Sequence, residues 1–214
     1  MGRMAVDIGG TFTDLVHFDD QTGALVAEKS LTTPKDLTNG VLNSIKLADI
    51  ESETITFFVH GGTTVINAIT ERKGAKTALI TTKGFRDVLE IARGNRPDLY
   101  NLRFQKPKPF VPRRLRFEVE ERLDASGNII KPLSIKELED IVKICISENV
   151  EAIAVVFLHS YSSPQHEIIC AEYLRKNLPD ISITASHEIT REWREYERAN
   201  TAVLNAYVQP TVQK

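Results

Sequence analysis

Asp7-Ile8-Gly9-Gly10-Thr11-Phe12-Thr13-Asp14 is the stretch on which the fold turns. A short apolar run, Met4 to Ile8, leads into it, and Leu15 to Phe18 resumes after it. Two glycines at a strand end let the backbone approach a bulky anion and reverse at once, because neither carries a Cβ. The N–H groups from Gly10 to Thr13 can then point at phosphate oxygens as an anion-binding nest. Thr11 and Thr13 add hydroxyl donors, and Asp7 at the strand tip is placed to hold Mg²⁺ through water. The segment lacks the Gly-Lys-Ser/Thr ending of a P-loop and the Gly-x-Gly-x-x-Gly of a dinucleotide turn. A plain hairpin with a Gly-Gly turn is the bland alternative. It leaves the threonines and aspartates unexplained, so phosphate binding is the preferred reading.

Outward from this segment the chain alternates strand and helix signals. Asp19-Asp20-Gln21-Thr22-Gly23 is a turn and Leu25 to Leu31 a third short run, so the opening reads as an antiparallel meander. Leu37, Val41, Ile45 and Ala48 recur at helical spacing. Ile55 to Val59 reads as a strand, Thr63 to Lys73 as a helix and Lys76 to Thr82 as a strand. Three prolines between Lys106 and Pro112 exclude a regular helix there. Leu115 to Leu123, Ser126-Gly127-Asn128 and Ile129-Ile130 suggest a β-hairpin.

The last third reads αβαβα. Ser134-Ile-Lys-Glu137 has capping-box spacing before the stripe Leu138, Ile141, Val142, Cys145 and Ile146. Ala152 to Leu158 is a strand. Ser163-Pro164 opens a helix with the stripe Ile169, Cys170, Tyr173 and Leu174. Ile181 to Ala185 is a strand. Thr190 is expected to cap a long helix with an Arg191–Glu195 pair, ended by Pro210. The order implies one mixed α/β sheet, the meander continued by parallel strands with crossover helices. Three regions are expected: 1–90 with the phosphate loop, 91–132 as a loop and β-hairpin insertion, and 133–214 as the αβαβα continuation.

In open α/β sheets ligands bind beyond the carboxyl ends of strands. Two further segments qualify. His60-Gly61-Gly62-Thr63-Thr64 joins a strand to a helix start, with Thr63 or Thr64 as N-cap, where backbone donors favour an anion. Arg93-Gly94-Asn95-Arg96-Pro97-Asp98 offers two arginines to clamp a carboxylate or phosphate, although solvated loop arginines are as common. Lys106, Lys108, Arg113, Arg114 and Arg116 form a basic stretch that reads as a solvated face or, less often, as a surface for an acidic partner. The five histidines lack metal-ligand spacing, and the Trp193, Tyr196, Ala199, Val203 stripe reads as core.

Composition narrows the class. The 214 residues carry 27 Lys plus Arg against 29 Asp plus Glu, a formal charge of −2, which removes the electrostatic case for nucleic-acid binding. Hydrophobic residues make up 42%, so the chain can build a core and is not a disordered segment. No apolar run approaches a membrane span, and no targeting core precedes Met4. Cys145 and Cys170 read as buried thiols in a reducing compartment rather than as a disulfide framework. A cytoplasmic protein with no nucleic-acid or membrane partner is the expectation.

The Asp7 to Asp14 segment resembles the first phosphate loop of the actin-like ATPase and sugar-kinase superfamily. Together with His60-Gly-Gly-Thr-Thr64, Gly84-Phe-Arg-Asp-Val-Leu-Glu90 and Arg194-Glu-Tyr-Glu-Arg198, it is similar to the hydantoinase A, 5-oxoprolinase and acetone carboxylase family. Arg93 to Leu102 and Pro112-Arg-Arg114 lean towards the acetone carboxylase branch. The resemblance implies a ribonuclease H-like lobe, ATP and Mg as cofactors, and activation of a carbonyl by phosphorylation for hydrolysis of a cyclic amide or carboxylation of a ketone. It implies Asp7 and Asp14 as catalytic groups with Mg on Asp7. Gly9, Gly10, Thr11, Phe12, Thr13, His60, Gly61, Gly62, Thr63 and Thr64 would surround the nucleotide. Arg93, Asn95, Arg96 and Asp98 would meet a small carbonyl substrate. Family members are longer, so the chain would be an N-terminal lobe, inactive alone, whose partners are the missing C-terminal lobe and a second, hydantoinase B-like subunit. Two rivals are a non-catalytic assembly module, motivated by the basic stretch, and a small-molecule kinase.

Overall fold

Every second residue of Gly2-Arg3-Met4-Ala5-Val6-Asp7-Ile8 is buried, which makes β1 (Gly2–Ile8) a strand with one covered face. The computed structural model describes residues 1–33, 36–95 and 98–212. They fall into two compact units, one within residues 1–73 and one within residues 74–212.

In the first unit, β1 is followed by β2 (Phe12–Asp19), β3 (Leu25–Leu31), α1 (Leu37–Leu47), β4 (Ile55–Gly62) and α2 (Thr64–Thr70). The sheet order is β3-β2-β1-β4, with β2 antiparallel and β4 parallel to β1. The expected meander is present. Met4, Val6, Ile8 and Leu15 form the core, with Leu37, Val41 and Ile45 of α1 packed on them. Asp36 starts α1 by accepting the Thr38 N–H at 3.0 Å, an N-cap contact. α2 stops short of Lys73, because Arg72 takes a left-handed φ of 55° that no helix continues.

The second unit holds β5 (Thr77–Thr82), α3 (Val88–Ile91), β6 (Arg116–Val119), β7 (Arg122–Leu123), β8 (Ile129–Lys131) and α4 (Ile135–Ser147). Then come β9 (Ala152–Val156), α5 (Gln165–Asn177), β10 (Ser182–Ala185), α6 (Ser186–Ile189) and α7 (Glu195–Val212). Its main sheet is fully parallel in the order β10-β9-β5-β6. Every residue of β5 and β9 is buried, as befits strands covered on both faces.

Several expectations are corrected. The single continuous sheet is two sheets, because β5 pairs with β6 on one edge and β9 on the other and has no edge left for β4. The hairpin shrinks to β7 and β8. Arg116–Val119 instead runs parallel to β5, where Leu115 and Val119 are buried in the main core. Ser134 accepts the Glu137 N–H at 3.4 Å as expected, but the Glu137 carboxylate takes the Glu120 N–H at 2.6 Å, so the box is not reciprocal. Ser163 does not cap α5, which starts at Gln165 after Pro164. Its buried stripe is His166, Glu167, Cys170, Ala171 and Leu174, and Ile169 faces out. Thr190 closes α6, so Arg191 precedes α7 and makes no helical pair with Glu195. Pro210 sits in the last turn of α7, where one absent N–H does not end the helix. Trp193 is 64% exposed and leaves the core stripe to Ala199 and Val203. Cys145 and Cys170 are buried free thiols, as expected; burial pushes Cys145 up to about 12. No helix among the described residues is long and apolar enough to cross a membrane.

Candidate functional site

Strand register decides what lies at the tip of β1. Asp7 is paired with Asp14 on one side and Gly61 on the other, and Ile8 with Thr13 and Gly62. The two glycine segments found in the sequence are therefore neighbours at one end of the same sheet. Close approach requires a glycine at position 9 and favours one at positions 10 and 62, whereas a Cβ on Gly61 would meet open space. A Cβ on Gly9 would lie 2.8 Å from the Phe12 carbonyl oxygen, whose acceptance of the Gly9 N–H at 2.9 Å forms the turn. A Cβ on Gly10 would lie 3.0 Å from Asn67 Nδ2, and one on Gly62 3.2 Å from the Ile8 carbonyl oxygen.

The loop is anchored through its carbonyls. Thr32 Oγ1 donates to Gly9 O at 2.9 Å, and the Thr32 N–H donates to Thr11 O at 2.9 Å. The Thr63 N–H is held by Ile8 O at 3.1 Å. Among the described residues the exposed Gly10 and Thr11 N–H groups have no protein acceptor. Tied carbonyls with open amides are what an anion cradle of backbone dipoles needs.

Asp7, Asp14 and Lys29 form a cross-strand row, with Lys29 Nζ 2.9 Å from Asp14 Oδ1. Asp7 and Asp14 are both exposed. Like charges directly opposite one another repel across strands, and a cation at the row relieves that repulsion. No group of three metal-ligating side chains occurs among the described residues. Two exposed carboxylates are the donor set that a Mg²⁺ ion keeping several waters would need beside phosphate oxygens.

Among the other site residues, Thr13 departs from expectation. Thr13 is buried, with Oγ1 3.0 Å from Thr32 Oγ1, so its hydroxyl braces the loop and does not face it. Thr11 and Phe12 are exposed, with Lys29 Nζ 5.0 Å from the Phe12 ring centroid. His60, Gly61 and Gly62 are the last residues of β4, and Thr63 leads directly into α2, so the segment joins a strand to a helix start as expected. Thr63 is the N-cap of α2 but makes no side-chain cap bond; its Oγ1 accepts from Asn67 Nδ2 at 3.4 Å. Thr64 is the first helical residue. With seven residues, α2 is too short for its dipole to define an anion site.

The arginine segment belongs to the second unit. Arg93 Nε donates to Glu197 Oε1 at 2.6 Å, and Arg93 and Asn95 line an open groove of about 580 Å³ with Glu192, Tyr196 and Asn200. Asp98 is exposed, and Arg96 lies outside the described residues. Much of the basic stretch is paired internally. Arg113 makes a two-pronged bond to Asp87 at 2.9 and 3.0 Å, and buried Arg116 reaches Glu90 at 2.9 Å.

Sequence reasoning missed a buried polar cluster beside the sheet of the second unit. Glu167 and Arg198 are fully buried, with Arg198 Nη1 3.3 Å from Glu167 Oε1. Glu167 also accepts from the Phe157 N–H at 2.9 Å, Ser186 Oγ at 2.6 Å and the His187 N–H at 2.9 Å. Arg198 donates to Ser160, to Ser186 Oγ at 2.7 Å and to Phe157 O at 2.8 Å. Burial opposes the charged form of Glu167, but the bonds from His187, Ser186 and Phe157 outweigh it and hold the carboxyl below its ordinary value. Next to it, His166 Nδ1 lies 2.8 Å from Glu121 Oε2. The available signal was Arg198 itself, an arginine in register with the buried face of Ala199, Ala202 and Val203.

Comparison with known proteins adds lineage to this geometry. The family model described as the hydantoinase/oxoprolinase N-terminal region matches residues 3–178. A protein of Methanocaldococcus jannaschii is 46% identical over 98% of this chain, which covers 31% of that relative. Caprolactamase subunit alpha of Pseudomonas jessenii is 32% identical over 98% of this chain, covering 32% of the relative. The nucleotide-free structure of acetone carboxylase superposes on the whole chain with a TM-score of 0.84 at 26% identity, and 33% of that chain is covered. The chain thus spans about a third of the length of these relatives.

Proposed function

Because the chain belongs to the hydantoinase/oxoprolinase N-terminal family, we propose that it supplies the phosphate-binding part of a longer ATP-dependent enzyme that activates a carbonyl oxygen by phosphorylation, so that water opens a cyclic amide. The observation that carries this reading is the register that sets Asp7 between Asp14 and Gly61 beside the open amides of Gly10 and Thr11. ATP would supply the phosphoryl group that makes the amide carbon more electrophilic: water adds there, the ring C–N bond breaks with a proton passing to the nitrogen, and hydrolysis of the resulting acyl phosphate releases phosphate. Gly10 and Thr11 N–H groups orient phosphate oxygens, and Phe12 and the His60 to Thr64 segment flank them. Asp7 holds Mg²⁺ through water, and Asp14, anchored by Lys29, keeps the second carboxylate in place. Such transfer needs positioning and charge neutralisation more than covalent help from the protein.

The first unit is read as part of a ribonuclease H-like lobe, supported by its meander and parallel fourth strand. Arg93, Asn95, Arg96 and Asp98 are assigned to the carbonyl substrate, supported by the groove that Arg93 and Asn95 line. The relative designated subunit alpha supports a second subunit as partner. Ketone carboxylation through the same activation is the second reading, favoured by the likeness to acetone carboxylase. A non-catalytic assembly role loses support, because Arg113 and Arg116 are already paired.

The test is substrate-dependent ATP hydrolysis by the complete enzyme, assayed with cyclic amides and ketones. Asp7→Ala is expected to abolish it; an unchanged rate rejects Asp7 as the Mg²⁺ holder. The 214-residue chain alone is expected to bind ATP weakly, and tight binding in calorimetry would refute the need for further polypeptide.

A further inference from the structure

β4 has the sequence of an interior strand and the position of an edge strand. Ile55-Thr56-Phe57-Phe58-Val59 is a near-continuous apolar run, the signature of a parallel strand with neighbours on both edges and layers on both faces. Yet β4 ends the sheet order, and among the described residues it pairs with β1 alone. Phe57, Phe58 and Val59 are 57%, 47% and 48% exposed, although they point alternately to opposite faces. The register extends the apolar surface across the sheet on the face opposite α1. Val59 is in line with Ala5, Val16 and Ala27, and Phe57 with Arg3, Phe18 and Leu25. β3, at the other edge, carries Glu28 and Lys29, charges of the kind that protect an edge from pairing. β4 has none.

We propose that the free edge of β4 receives a further strand, and the face opposite α1 its cover, from the additional two thirds of polypeptide that the relatives of this chain possess. The strand adds by main-chain hydrogen bonds along residues 55–62, and its apolar side chains continue the two rows that begin at Val59 and at Phe57. The chemistry favours this occupant over a second copy. Two-fold pairing of β4 with itself would satisfy the edge but supply no layer for the face opposite α1. The inference is tested without nucleotide at Phe57 and Val59, which lie outside the proposed phosphate site; only the last residues of β4, His60 to Gly62, flank that site.

The test uses the 214-residue chain and, as a separate polypeptide, the remaining two thirds of the Methanocaldococcus jannaschii relative, without ATP. Size-exclusion chromatography and hydrogen–deuterium exchange are read on each alone and on the mixture. The chain alone is expected to be monomeric with fast exchange at edge-facing amides of residues 55–62. The mixture should co-elute and slow those amides at least about tenfold. Val59→Asp and Phe57→Asp should abolish co-elution, and exchange of the unsubstituted chain decides the matter if either variant fails to fold. Failure to associate, association with residues 55–62 still exchanging fast, or self-dimerisation that protects the same amides overturns the proposal.

Discussion

The two sheets are built on opposite principles. In the second unit, β5 and β9 are buried along their whole length, and a charged cluster around Glu167 and Arg198 is sealed beside them. In the first unit, α1 covers one face, β4 is exposed nearly throughout, and the charges Asp7, Asp14 and Lys29 stand in solvent. One unit uses charge to fix its own interior. The other leaves charge and backbone donors available for something else. Buried charges must find partners within the fold or they destabilise it, whereas exposed charges opposite one another are free to take a cation.

The largest expected effect tests the sealed half. Arg198→Met leaves Glu167 buried without its cation, and loss of one partner of a buried pair destabilises by about 3–5 kcal/mol. Urea unfolding of the 214-residue chain checks this, with amide exchange assigning the loss to residues 74–212. A change under about 1 kcal/mol would erase the contrast between the units.

Gly9→Ala tests the open half. Its Cβ would press on a backbone oxygen, so the loop must shift, at about 1–3 kcal/mol. Exchange should quicken in the first unit only, and ATP-dependent activity of the complete enzyme should fall with it.

Acid separates the units by another route. The Glu167 carboxyl is held below its unfolded value, so its contribution to stability is complete above about pH 4.3 and declines as pH falls through the lower folded value. Exchange protection of Phe157 and His187, whose N–H groups Glu167 accepts, should therefore weaken on acidification below about pH 4 and be flat near neutrality. Glu167→Gln should flatten the acid response.

The smallest effect on stability is expected from Asp7→Asn. Removing one of two opposed carboxylates should stabilise the first unit by about 0.2–1 kcal/mol while abolishing Mg²⁺-dependent ATP turnover of the complete enzyme. Stabilisation with turnover retained would leave Asp7 with no part in the site.

Much of this was legible in sequence because it is local. Short apolar runs between turns marked the meander, Ser134 marked a helix start, and Gly9-Gly10 announced a close backbone turn. Where reading failed, a distant group had displaced a local preference. Glu137 abandons its capping box for the Glu120 N–H, and the inner face of α5 is chosen by the donors that converge on Glu167 instead of by Ile169.

By itself, the sequence determined most of the strand and helix segments and the two glycine segments that flank the candidate phosphate site, since turns, caps and periodicity depend on residues a few positions apart. Tertiary structure alone decided that the main strands form two four-stranded sheets, that Asp7 lies between Asp14 and Gly61, that Thr13 turns inward, and that Arg198 meets Glu167. Those outcomes rest on strand register and on the desolvation of paired charges. Both are set by contacts between residues far apart in the chain, which no local pattern encodes.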